Sequence, residues 1–346
     1  MQQNPYSLSF GKEPVQFVER FAQTAMVTDD FFADNPASQV YMITGVRGSG
    51  KTVFMTEISK KLKAEKQWIV VELNPERDLL EGLASKLSSE TSLAKIFRNA
   101  SINLSFFGFG MEIKGTAPIT DIELALTRML ESLKKNGKRV LVTIDEVVSS
   151  EAVKVFASAF QIFIRQDLPL FLLMTGLYEN INRLQNEKTL TFLYRAPKIE
   201  LKPLNIGMIA ENYGKNFDLE RDKALEMAKF TKGYSFAFQV LGYFTWEQHG
   251  EYAAVLKKLR AYLEEFVYEK IWSELSKGDK QILYGIAMTK SGRIREIRNC
   301  LELETNQFNP YRKRLIKRGL VSGEERGYVR FTLPFFGEFV LENFEE

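Results

Sequence analysis

A lysine and a threonine standing directly behind a glycine-rich turn are the residues whose types and spacing first suggest chemistry. Gly45-Val46-Arg47-Gly48-Ser49-Gly50-Lys51-Thr52-Val53 has the glycine, lysine and hydroxyl spacing of a phosphate-binding loop. Glycines let backbone N–H groups curl round a phosphate with no Cβ in the way, and a helix starting near Gly50 adds the positive end of its dipole. Lys51 supplies a point charge for terminal phosphates, and the Thr52 hydroxyl is a hard oxygen ligand suited to Mg²⁺. Because an apolar strand precedes the loop and a helix follows it, the pattern predicts nucleotide binding rather than a chance Gly/Ser turn.

A second set of chemical residues closes the apolar run Val140-Leu141-Val142-Thr143-Ile144, which ends in Asp145-Glu146. A strand ending in two acids places them at a sheet edge, where Mg²⁺ and water would sit beside the phosphate loop. Asp145 would hold the hydration shell of the ion, and Glu146 would take a proton from the attacking water or orient it. Thr175 reads either as a sensor of the γ-phosphate or lytic water, or as a strand-end turn residue beside Gly176. Arg195 reads either as an arginine finger, on its own or a neighbour's nucleotide, or as a solvated, ion-paired side chain.

The elements that must position these groups follow from periodicity. Strands are expected over 39–44, 68–73, 139–144, 170–174 and 196–201, with helices over 51–64, 79–87, 121–135, 150–165 and 177–185 between them. Near-continuous apolar strands alternating with helices imply a parallel sheet covered on both faces, with the loop and the later strand ends along one carboxyl edge. Before the first strand, residues 4–20 form an irregular opening broken by Pro5, Gly11 and Pro14, with a helix expected from about Val15. This leader either folds over a base through Phe10, Pro14 or Val15, or covers a sheet edge. Alternation of Ile102, Leu104 and Phe106, then Phe109, Met111 and Ile113, about Gly108 predicts a β-hairpin over 101–114, either packed on the body or offering its phenylalanines to a partner.

After Pro203 the pattern turns helical, with helices expected over 206–216, 221–230, 235–248 and 253–268 and a break at Gly233. Three further helices, 277–288, 294–301 and 307–318, precede a two-stranded stretch over 320–331; that order at that length predicts a winged helix-turn-helix. Its third helix carries Arg312, Lys313, Arg314, Lys317 and Arg318, which suit either a DNA backbone or a solvated or docking face diluted by nearby acids. The expected division is a core over 1–202, a helical lid over 203–270 and the winged unit over 271–346.

Composition narrows the classes. A net charge of +3 is too small to argue for nucleic acid globally. One cysteine, Cys300, excludes an internal disulfide, and one histidine, His249, excludes a histidine metal cluster or a Ser/His/Asp triad. The polar stretch Met1 to Phe10 lacks a signal-like apolar run, and Leu168 to Leu177 is too short to span a bilayer, so a soluble cytoplasmic protein with no membrane partner is expected.

These residues carry a resemblance. The chain resembles the AAA+ family, in particular origin-recognition-like ATPases and archaeal-type proteins related to the STAND group. The likeness runs through Asn4-Pro5, Phe10-Gly11 and Pro14, the loop Thr44–Thr52, Leu141–Glu146, Met174–Leu177, Arg195-Ala196-Pro197 with Leu201–Leu204, Gly233–Phe236 and the terminal winged unit. It implies a three-layer αβα P-loop core with strand order 5-1-4-3-2, a helical lid and a winged helix. It also implies Walker roles for Lys51, Thr52, Asp145 and Glu146, with Thr175 as first sensor. Two positions depart from the pattern: Ser235-Phe236 stands where many lids begin with an arginine, and Glu19-Arg20 where relatives show Gly-Arg. The implied activity is an ATPase, using ATP, ADP and Mg²⁺, that acts as a conformational switch. Regulated DNA binding and a signalling scaffold with a protein partner or self-association are the alternatives.

Overall fold

The structure, a computed structural model, describes residues 3–9, 14–110 and 116–344. The chain forms two compact units. One comprises Phe21–Thr44 and Lys51–Glu200; the other comprises Met1–Arg20, Gly45–Gly50 and Leu201–Glu346.

The first unit is built on five parallel strands, β1 (Val40–Thr44), β2 (Trp68–Leu73), β3 (Arg139–Ile144), β4 (Leu170–Gly176) and β5 (Lys198–Glu200). Their order is β2-β3-β4-β1-β5, the expected 5-1-4-3-2 read from the other edge. Every residue of β1 and β4 is buried, as a parallel sheet covered on both faces requires. The helices are α1 (Phe21–Phe32), α2 (Lys51–Lys63), α3 (Leu79–Ser89), α4 (Ala94–Asn99), α5 (Ile122–Lys135), α6 (Glu151–Arg165), α7 (Tyr178–Gln185) and α8 (Thr191–Arg195). Their starts are set locally: Asp78, Asp121 and Ser150 each accept from a first-turn N–H of α3, α5 and α6.

One apolar cluster joins α3, α5 and α6 to the sheet through Leu83, Met129, Phe156, Phe160 and Phe163. Each such side chain contributes about 2–3 kcal/mol by leaving water. A second, aromatic, packing gathers Phe31, Trp68 and Phe171, and the Arg139 guanidinium lies 5.9 Å from the centroids of the latter two rings. That packing fixes α1 on the sheet.

Two local expectations are corrected. The opening helix begins at Phe21, not near Val15, whose side chain is 80% exposed. No strand forms over the described part of 101–114; a single tight turn over Ser105–Phe107 stands there, and Met111 and Ile113 lie outside the described residues. The alternation misleads because Ile102, Asn103 and Leu104 are all buried. Asn103 Nδ2 donates to the Thr116 carbonyl at 2.7 Å and its Oδ1 accepts from Ser105 N–H at 3.1 Å, so a side chain satisfies the backbone where a ladder was expected.

The second unit is helical. Helices α9 (Ile206–Phe217), α10 (Arg221–Phe230) and α11 (Ser235–Glu247) stand where expected. The expected helix 253–268 is instead a turn over Tyr252–Val255, then α12 (Leu256–Leu263), a π-type turn over Glu264–Tyr268 and α13 (Glu269–Ser273). Then come α14 (Lys277–Thr289), α15 (Ile294–Cys300), α16 (Thr305–Lys317), the antiparallel pair β6 (Val321–Ser322) and β7 (Arg330–Phe331), and α17 (Phe336–Asn343). A single apolar cluster runs from Leu204 to Val340. The leader is anchored in it by Tyr6, which stacks on Phe217 at 5.6 Å, donates to Asn212 Oδ1 at 2.8 Å and packs so tightly on α11 that a Cβ at Gly242 would meet its ring at 2.5 Å. Neither use foreseen for the leader involved Tyr6.

Candidate nucleotide site

In the first unit the sheet register brings the acidic residues to their partners. β3 pairs with β4 so that Ile144 lies opposite Met174, which makes the next residues, Asp145 and Thr175, neighbours at the carboxyl edge. The Thr175 hydroxyl, fully buried, donates to Asp145 Oδ1. From the first turn of α2 the Thr52 hydroxyl donates to Asp145 Oδ2 at 2.7 Å. The Glu146 N–H is shared between Asp145 Oδ1 at 3.0 Å and Thr175 Oγ1 at 3.2 Å. Both oxygens of Asp145 are therefore engaged, and one carboxylate ties the ends of two strands to the start of a helix.

These bonds hold Glu146 in an unusual backbone. Its φ is +52°, a left-handed conformation that costs a non-glycine residue about 1–2 kcal/mol. The Val147 N–H, donated to the Thr175 carbonyl at 2.8 Å, pins the next residue and leaves the Glu146 side chain exposed. An exposed acid in a left-handed backbone thus stands next to a half-buried, fully hydrogen-bonded one at the sheet edge.

The donor set fits a hard divalent cation. Thr52 gives its proton to Asp145, so the lone pairs of its oxygen are directed elsewhere and remain available to a cation. Among the described residues no group of three or more His, Cys, Asp and Glu is placed to hold a metal ion. Mg²⁺ needs no such cage, since it keeps water and phosphate ligands and takes one or two from protein.

In the second unit lies the loop Gly45–Gly50, with Gly48 at φ +70° and Gly50 at φ +89°. Its outer side is occupied. The Tyr234 hydroxyl donates to the Arg47 carbonyl at 2.7 Å, the Phe236 N–H to the Gly48 carbonyl at 3.1 Å, and the Ser235 hydroxyl to the Ser49 carbonyl at 2.9 Å. Arg20 adds a longer bond from Nη2 to the Ser49 carbonyl at 3.4 Å, while its Nη1 donates to the Lys202 carbonyl at 2.8 Å. The Arg47 side chain turns from the loop to Glu274, 2.7 Å away, which also meets Lys270 at 3.3 Å. Burial alone would raise the Glu274 carboxyl, but its hydrogen bonds and charge contacts with Arg47 and Lys270 hold it below the ordinary value. The Ser49 hydroxyl is buried with no partner among the described residues.

The remaining expected residues are dispersed. Val53 is half-buried in the first turn of α2 beside Lys51 and Thr52. Arg195 ends α8 with its side chain exposed, and no bond among the described residues ties it to Asp145 or Glu146. On α16, Arg314 binds Asp279 Oδ1 at 2.7 Å and Ser276 Oγ at 3.0 Å, and Arg318 donates to the Glu274 carbonyl at 3.4 Å. Lys313 is exposed, Arg312 is half-buried, and Lys317 closes the helix. Arg314 and Arg318, foreseen for a DNA backbone or a docking face, thus bond within the unit itself. Sequence reasoning missed Arg20, Tyr234 and Ser235 as loop contacts. Ser235-Phe236 attracted notice only as a missing arginine.

Residues 31–167 match the family described as "ATPase domain predominantly from Archaea". Residues 265–340 match "Domain of unknown function (DUF8462)". No curated protein matches the chain. Among solved structures, the Walker-type ATPase PABY2304 of Pyrococcus abyssi is 17% identical with a TM-score of 0.66, over 94% of this chain and 96% of that one. The ORC2 protein of Aeropyrum pernix, solved as ADPNP-ADP complexes, is 16% identical with a TM-score of 0.62, over 96% and 95%. Identities this low establish a shared fold. The expected resemblance to archaeal-type ATPases therefore holds in sequence over residues 31–167, the likeness to ORC2 and PABY2304 is one of fold over nearly the whole chain, and the five-stranded sheet is that of a P-loop ATPase core.

Proposed function

We propose that the chain binds ATP with Mg²⁺ along Gly45–Val53, hydrolyses it slowly to ADP and phosphate, and uses the difference between the two nucleotides as a conformational switch. The observation that carries this reading is Asp145, which binds the Thr52 hydroxyl with one oxygen and receives Thr175 and the Glu146 N–H with the other. Besides tying two strand ends to a helix start, the hub gathers a threonine hydroxyl and a carboxylate directly behind Lys51, the kind of hard oxygen donors that a hydrated Mg²⁺ takes. The ADPNP and ADP named for ORC2 support an adenine nucleotide.

The chain's own groups divide the work. N–H groups of the loop and of the α2 start hold phosphate oxygens, and Lys51 places a positive charge at the terminal phosphates. Thr52 and Asp145 would hold Mg²⁺, which would supply charge neutralisation at the phosphates. Glu146 orients the attacking water and accepts its proton; Thr175 fixes Asp145 and the Glu146 backbone, and senses the γ-phosphate through them. Arg195, exposed at the end of α8, is available as a finger to a nucleotide. The division favoured for the switch remains a core over 1–202, a lid over 203–270 and a winged helix over 271–346, which moves between ATP- and ADP-bound arrangements.

Calorimetry with the purified chain tests the binding step. The wild type should release or absorb heat with Mg²⁺-ATP, and Lys51→Ala should weaken affinity about a hundredfold or more. A chain giving no heat with adenine nucleotides, or equal affinity in Lys51→Ala, would remove the reading.

A further inference from the structure

We infer that Tyr234 and Ser235, at the start of α11, are positioning residues for the phosphate loop: their hydroxyls hold its carbonyls outward so that its N–H groups face the nucleotide. The inference rests on the reading of this stretch as an ATP site and adds the groups that shape it.

The geometry follows from the peptide unit. In a trans peptide the C=O of one residue and the N–H of the next point to opposite sides, and no cis bond occurs among the described residues. The Arg47 carbonyl is turned to the Tyr234 hydroxyl, so the Gly48 N–H points away from Tyr234. The Ser49 carbonyl is turned to the Ser235 hydroxyl and to Arg20, so the Gly50 N–H points away from both. Between them the Gly48 carbonyl accepts from the Phe236 N–H. Three successive carbonyls are thus capped from one side; the Ser49 N–H between them is taken by the Val46 carbonyl at 3.1 Å, and the N–H groups of Gly48 and Gly50 point to the other side, where they can meet an anion.

Tyr234 suits the task. It is 4% exposed, and burial pushes its phenol well above the ordinary value, so it remains an O–H donor throughout the working pH range. The fit also explains Gly48: a Cβ there would lie 2.2 Å from the Tyr234 oxygen. A missing lid arginine is therefore accompanied by a different use of the same helix start, on the back of the loop.

The experiment is calorimetry with Mg²⁺-ATP and Mg²⁺-ADP on the full chain and on Tyr234→Phe, Ser235→Ala, the double variant and Ser235→Thr, with melting temperatures recorded without nucleotide. Each lost hydroxyl should raise Kd about fivefold for both nucleotides, the double variant at least tenfold, and Ser235→Thr should restore affinity. Melting temperatures of the single variants should stay close to wild type. Wild-type affinity in the double variant overturns the inference while leaving the ATP reading intact. So does a weakening that tracks a lowered melting temperature and is not rescued by threonine. Absence of binding in the wild type overturns the ATP reading and this inference with it.

Discussion

The two stretches that carry the candidate nucleotide residues, each within its own unit, are held by different kinds of contact. At the sheet edge, Asp145, Glu146 and Thr175 meet because β3 and β4 are in register, and Thr52 joins them from the first turn of α2. On the outer side of the loop, Arg47 and Ser49 are held by Tyr234 and Ser235, 187 and 186 residues away in sequence. Strand ends and helix starts are local devices with fixed periods, whereas a hydroxyl reaching a carbonyl from a distant helix has no period at all. The first half is thus recognisable in a sequence and the second is not.

Several substitutions would break or sharpen that contrast, beginning with the largest effect. Glu146→Gln attacks the sheet-edge half and should retain ATP while turnover falls by about 10²–10⁴. Gly48→Ala attacks the other half. It puts a Cβ into a left-handed residue, at φ +70°, and against Tyr234, so it should destabilise the chain by about 1–3 kcal/mol and weaken nucleotide binding. Denaturant unfolding together with calorimetry would show both losses, and full affinity in Gly48→Ala would mean the loop tolerates a displaced Tyr234.

Arg314→Ala tests whether the basic helix serves the fold. It strands Asp279, which is 2% exposed but keeps its capping bond to Ser276, so urea unfolding should show a loss of about 1–2 kcal/mol. An unchanged midpoint with weakened DNA retardation would return Arg314 to a nucleic-acid role.

The smallest effect belongs to Arg47–Glu274. Glu274 has a lowered carboxyl value in the folded chain, so its contribution is present above the ordinary carboxylate range and is lost as pH falls through the folded value. Both side chains are about one-third exposed, and solvent screening limits the pair to about 0.2–1 kcal/mol. Melting curves of wild type and Glu274→Gln should differ slightly at about pH 7 and converge as acid protonates the folded Glu274 carboxyl. A gap that widens on acidification would contradict the pairing.

The same contrast explains what the sequence made legible. Apolar runs such as Leu170–Met174, alternating with helical stretches, pointed to a covered parallel sheet, and the helices over 121–135 and 150–165 were legible from the spacing of their apolar residues, whereas their caps Asp121 and Ser150 went unread. The family resemblance supplied the strand order. The segment 101–104 failed because alternation records burial, not pairing, and Asn103 spent its amide on a turn. Tyr6 gave no signal at all, since a lone aromatic beside a proline says nothing of the glycine on α11 that receives it. The α16 cations were visible as charge, but their partners Asp279 and Glu274 lie on other elements.

The central claim is that the acid pair ending β3 acts on a nucleotide held by the loop. Single-turnover phosphate release from ATP, measured in wild type and in Glu146→Gln under saturating protein, tests it most directly. The account predicts slow release from the wild type and release at least about a hundredfold slower from the variant, with ATP still bound. Equal release from both proteins would contradict it.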